Sequence, residues 1–113
     1  MQKEVTFSES KDELYAILSG EIDHHVAKKM RIEIDSMLFR KKPRVLILDF
    51  SLVRFMDSSG IGLIIGRAEL SSNIGCTVDV AGLSPHLYKI LKLSGIEKVK
   101  GVRIRSMEGC EKR

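Results

Sequence analysis

The sequence predicts an α/β domain, with a mixed, mostly parallel sheet of four to five strands, an antiparallel first strand and helices mainly on one face. Three observations carry this. Val45-Leu46-Ile47-Leu48 runs apolar without alternation, as a strand buried on both faces of a parallel sheet does. Two short runs near the start, residues 4–8 and 13–19, flank the polar turn Glu9-Ser10-Lys11-Asp12 and read as an antiparallel pair. After them, helical and strand-like segments alternate to the end of the chain.

The first helix is placed over residues 24–38, where Val26, Met30, Ile34, Met37 and Leu38 recur at helical spacing behind Asp23 as N-cap. Pro43 closes the linker to the central strand. A second helix starts at Asp57 or Ser58 and runs to Gly75, which follows Ile74 as a C′ residue would. Residues 76–82 (CTVDVAG) form the next strand. Ser84 then caps a third helix with Pro85 at its first position, Leu83 and Tyr88 occupy the staple positions, and Gly95 ends it. Val99 and Val102 allow a last short strand. Crossovers between parallel neighbours are right-handed, so winding always in one direction puts the helices mainly on one face of the sheet.

Composition limits what such a domain does. At 113 residues and 43% hydrophobic content the chain builds one modest core, so a single domain over 1–113 is expected and a multi-domain enzyme is excluded. No secretory h-region opens it and no run of eighteen apolar residues interrupts it, which makes a cytoplasmic protein without membrane association the expectation. Cys76 and Cys110 suit neither a zinc site nor a disulfide framework and read as reduced thiols. Lys98, Lys100, Arg103, Arg105, Lys112 and Arg113 outnumber Glu108 and Glu111 by four, the whole of the formal net charge of +4. Residues 102–113 therefore read as a solvated basic tail, and without aromatic interleaving no direct nucleic-acid contact is expected.

The segment Phe55-Met56-Asp57-Ser58-Ser59-Gly60-Ile61-Gly62 places two serines where strand gives way to helix, at unpaired backbone N–H groups. One reading makes Asp57 or Ser58 a helix cap and nothing more. The glycines add a second. Gly62 and Gly66 lie one turn apart and each costs the helix up to about 1 kcal/mol relative to Ala, an expense that close approach of another backbone would offset. That backbone is the protein's own sheet or an outside partner, and the sequence leaves both open. Gly60 beside the serines leaves them sterically accessible.

Enzyme readings fail on composition. No G-x-S-x-G elbow is present, and the one His after the serines, His86, sits on the third helix. Asp23-His24-His25 is a single triplet without the further acidic clusters a two-metal site needs. A receiver domain would want acidic residues closing its first parallel strand, for which Asp49 is a distant stand-in. No phosphate loop with Lys occurs, so neither nucleotide nor any other cofactor is expected.

Leu18-Ser19-Gly20-Glu21-Ile22-Asp23-His24-His25 together with Phe55-to-Gly62 and Leu93-Ser94-Gly95 resembles the STAS-domain anti-sigma factor antagonists over residues 4–100. The double His after Asp23 resembles their sporulation, sigma-F branch. The resemblance implies a sheet of four to five strands with three to four helices, and a partner-switching role without enzymatic activity. The unphosphorylated antagonist would bind an anti-sigma factor that is also a serine kinase and so release the sigma factor. The kinase, which carries the ATP and Mg²⁺, would phosphorylate Ser58, and a PP2C-type phosphatase would reverse this. Asp23 would lie near Ser58, with Asp57, Ser59, Gly60 and Gly62 in the same partner-binding patch on a chain that is a monomer when free. Relatives carry a final amphipathic helix that the basic, apolar-poor residues 103–113 put in doubt.

Overall fold

A computed structural model describes residues 4–105. The chain begins with strands β1 (Val5–Ser10) and β2 (Glu13–Ile22), paired antiparallel with Ser10 opposite Glu13. The turn is therefore only Lys11-Asp12, and Lys11 takes the left-handed backbone (φ 53°) that a two-residue hairpin requires. Glu9 and Ser10, expected in the turn, belong to β1 instead. Their polar side chains are exposed on an edge strand, where a charge discourages pairing with other chains.

Helix α1 spans His24–Lys41, three residues beyond the predicted end, because nothing breaks the helix before Pro43. Asp23 caps it as expected, and Ala27, Met30, Ile34 and Leu38 form the buried stripe. Strand β3 (Val45–Met56) is far longer than the apolar run that announced it. Its first half pairs with β2 and β4 and is buried at Leu46, Ile47 and Leu48, whereas beyond Asp49 it pairs, among the described residues, with β2 alone.

Helix α2 runs Ser58–Ser72. Residues 73–75 tighten into a turn, with Asn73 N–H on Leu70 O (3.2 Å) and Ile74 N–H on Ser71 O (3.0 Å). Gly75 then adopts the left-handed φ of 72° and lets Cys76 N–H return to Ser71 O at 2.9 Å, so it fills the predicted C′ role although the regular helix stops earlier. Strand β4 (Thr77–Ala81) and helix α3 (Pro85–Ser94) follow. Ser84 Oγ accepts Leu87 N–H at 3.1 Å, and Gly95 closes α3 with φ 77°. A 3₁₀ turn at Ile96–Lys98 leads to β5 (Val102–Ile104), so Val102 enters the last strand and Val99 does not. Cys76 is a buried free thiol, pushed up in pKa chiefly by burial. Cys110 and the questioned final helix fall outside the described residues.

The strands lie in the order β1-β2-β3-β4-β5, parallel except for β1. With every crossover joining adjacent strands in one direction, right-handedness puts all three helices on one face. Leu14, Ala16, Leu18, Leu46, Leu48, Phe50, Val78 and Val80 form the core there with Met30, Ile34, Leu63, Ile64, Leu87 and Leu91. On the opposite face Tyr15, Ile47, Asp79 and Arg103 stand in one row across four strands. Asp79 is buried and accepts from Arg103 (2.9 and 3.1 Å) and Arg105 (3.1 Å). Two cations that the sequence assigned to a solvated tail thus neutralise a buried carboxylate of the sheet.

Candidate functional site

The site arises where β2 and β3 end side by side. Their last pair is Ile22 with Met56, and Asp57 N–H bonds Ile22 O at 3.1 Å, so Asp23 and Asp57 leave neighbouring parallel strands together. Each is the N-cap of the helix that follows. Asp23 Oδ1 accepts Val26 N–H at 2.9 Å, and Asp57 Oδ1 accepts Ser59 N–H at 2.8 Å. The Val26 amide is also the main reason the Asp23 carboxyl is held below its ordinary value.

This geometry decides what the first serine is for. Because Asp57 does the capping, Ser58 is the exposed first residue of α2, and among the described residues no group hydrogen-bonds its hydroxyl. Ser59 is half-buried beside it. The reading of Ser58 as a cap is thereby corrected.

The glycines separate into two kinds. Gly60 is buried, and a Cβ there would stand 2.5 Å from Met56 Sδ and 3.2 Å from Met56 Cγ. It lets α2 close onto the end of β3, so it supports the patch from beneath and does not line it. Gly62 is exposed, and a Cβ on it or on Gly66 would meet no atom within 4 Å. The alternative in which these two serve the protein's own sheet is excluded, leaving their helical cost without an internal return.

Two features of the site were not anticipated. Leu52 and Phe55, on the half of β3 that lacks β4 as neighbour, are 58% and 53% exposed, and they lead directly to Asp57. Exposed apolar side chains beside polar ones at one end of a sheet are the composition of a partner surface. The second feature is an open groove of about 510 Å³ between α1 and α2, lined by His24, Ala27, Lys28, Arg31, Ser59, Gly62, Leu63 and Arg67. At its inner end Arg67, almost fully buried, meets Asp35 of α1 with Nε 2.7 Å from Oδ1. That approach is an ion pair without hydrogen-bond alignment; the aligned bonds run from Nη2 to Asp35 Oδ2 (3.3 Å) and from Nη1 to Leu63 O (3.5 Å). Burial pushes the Asp35 carboxyl up and the Arg67 guanidinium down, each opposed by the other's charge. Thirty-two positions separate the two, so no local pattern could have signalled the pair.

Fold and site together define a class. The chain belongs to the STAS family: residues 8–107 match the model described as the STAS domain. Within that family, relatives that it matches are named anti-sigma factor antagonists. It is 31% identical over 99 residues to the anti-sigma F factor antagonist of Paenibacillus polymyxa, covering 88% of this chain and 85% of the relative. Over 80 residues it is 36% identical to that of Lysinibacillus sphaericus, covering 70% and 68%. Among solved structures it resembles the Bacillus cell fate determinant SpoIIAA in its phosphorylated form, with a TM-score of 0.67 and 26% identity over 92% of this chain and 93% of that one. The expected STAS fold and its antiparallel first strand are therefore present.

Proposed function

We propose that this protein is an antagonist of the sporulation sigma-F type, a single-domain monomer that acts by partner switching and carries out no catalysis. Unphosphorylated, it binds an anti-sigma factor that is also a serine kinase and thereby frees the sigma factor. The contact is the patch of Asp23, Asp57, Ser59 and Gly62 around Ser58, with Leu52 and Phe55 as its apolar flank. The kinase, using its own ATP and Mg²⁺, phosphorylates Ser58, and a PP2C-type phosphatase restores the binding form.

The observation that carries this reading is the idle hydroxyl of Ser58 beside an aspartate that already caps α2. A phosphoryl group there adds roughly −1.5 to −2 charges at a helix N-terminus, where the dipole favours an anion, so the fold tolerates it. A partner fitted to the two carboxylates of Asp23 and Asp57 does not. Burying the added charge without a matched cation costs about 3 kcal/mol, over a hundredfold in affinity. Two further supports are that the relatives above are named anti-sigma F factor antagonists and that one structural neighbour was solved phosphorylated.

The test is mass spectrometry after incubation with the organism's sigma-F-type anti-sigma factor and ATP. One added phosphate, about 80 Da, localised to Ser58 and absent from Ser58→Ala is the expected result. A Ser58 that stays unmodified while the same kinase binds would overturn the switch.

A further inference from the structure

We propose that the groove between α1 and α2 receives a carboxylate-bearing segment of the partner protein, so that the partner is recognised as a dipole. Its cations would lie over Asp23 and Asp57, and its anions over Lys28 and Arg31. The inference rests on the partner-binding reading above and adds the charge pattern that the partner must bring.

The groove has one sign. His24, Lys28 and Arg31 lie one helical turn apart along α1, all exposed, with Ala27 between them as floor. Among the described residues no Asp or Glu lines it. The nearby carboxylate, Asp35, is engaged by Arg67 at 2.7 Å, and among the described residues Lys28 and Arg31 form no ion pair. Like charges at this spacing work mildly against the helix that bears them. Arg31 is attracted to Asp35 one turn further on, but Arg67 already holds that carboxylate and its own charge repels Arg31.

Shape and position indicate what covers it. The facing wall is Ser59, Gly62 and Leu63, and Gly62, which the fold does not need, keeps the groove open by having no side chain. Ser59 and Gly62 also belong to the patch around Ser58, so a protein seated on Ser58 overhangs the groove. An inorganic anion is the poorer fit. Four of the N–H groups at the two helix starts that would cradle one are already bonded: Ser59 and Gly60 donate to Asp57, and Val26 and Ala27 donate to Asp23. What remains is a row of long, flexible cations beside a glycine recess, suited to side-chain carboxylates on an approaching surface.

Stopped-flow association with the organism's sigma-F-type anti-sigma factor, measured across a NaCl series, tests this on the wild-type chain, Lys28→Glu/Arg31→Glu, Lys28→Gln/Arg31→Gln and Ser58→Asp. The double reversal is expected to slow association about tenfold or more at low salt and to flatten its salt dependence. The double Gln variant should fall between, and since both positions are exposed all melting temperatures should stay close, the double reversal lowest because Arg31→Glu sets a like charge one turn from Asp35. Association of the reversed variant at the wild-type rate, or faster, overturns the proposal. If Ser58→Asp still loses binding in that case, the function proposed above stands without the groove. Undiminished binding by Ser58→Asp would instead remove the switch itself, and the inference with it.

Discussion

Ser58 and Ser84 both stand at the start of a helix that follows a strand, and they do opposite things. Ser84 Oγ accepts the Leu87 amide at 3.1 Å and holds α3 in place. Ser58 holds nothing, because one residue earlier Asp57 takes the equivalent bond from Ser59 at 2.8 Å. Residue type and local position do not assign a role here; whether the capping place is already filled does. A serine relieved of structural duty can be modified without loss of fold.

The largest effect that could break this comparison lies in binding. Ser58→Asp, with about half the charge of a phosphoryl group, should weaken the complex with the anti-sigma factor about tenfold or more, with the melting temperature almost unchanged. Calorimetric titration beside a thermal melt reads both quantities. Ser84→Ala should do the reverse, costing about 1 kcal/mol of stability, visible as a lower denaturant midpoint, with affinity intact. Ser58→Ala, which removes the hydroxyl, should leave stability unchanged, and a loss equal to that of Ser84→Ala would show that Ser58 caps α2 after all.

A second comparison, within α2, is smaller. Gly60→Ala must displace the Met56 side chain, whose sulfur lies 2.5 Å from the added carbon, and should cost about 1–3 kcal/mol unless the thioether finds another rotamer. Gly62→Ala meets no atom and replaces a poor helix former, so it should gain up to about 1 kcal/mol of stability while weakening partner binding. Urea unfolding and affinity measured on the same preparations would separate the two glycines. A destabilised Gly62→Ala would return that position to internal packing.

What the sequence made legible follows the range of the forces involved. The caps of α1 and α3, and the left-handed Gly75 and Gly95, depend on neighbours three or four residues away and were readable as patterns. The second half of β3 was not. Its residues are shaped by having β2 on one side and, among the described residues, no strand on the other, a fact of tertiary pairing that leaves Leu52 and Phe55 outside any alternation. Gly60 and Gly62 look alike in sequence, and only the seating of α2 over Met56 tells them apart. Arg103 and Arg105 read as tail because their partner, Asp79, lies on another strand.

The weakest expected effect concerns the other capping aspartate. Asp23 is exposed, and the Val26 amide, foremost, lowers its pKa below the ordinary 3.8. A depressed native pKa means that the unfolded chain binds the proton more readily. The stabilising contribution is therefore present above the unfolded-state pKa and is lost as pH falls through the native one. Asn occupies the N-cap about as well as Asp but carries no charge to titrate. The melting temperature of Asp23→Asn should thus lie slightly under that of the wild-type chain near pH 7, and the two curves should converge as pH drops below about 4. Curves that stay parallel through that range would mean that the Asp23 carboxylate gains nothing from the helix it caps, and that its charge serves only the surface it presents beside Ser58.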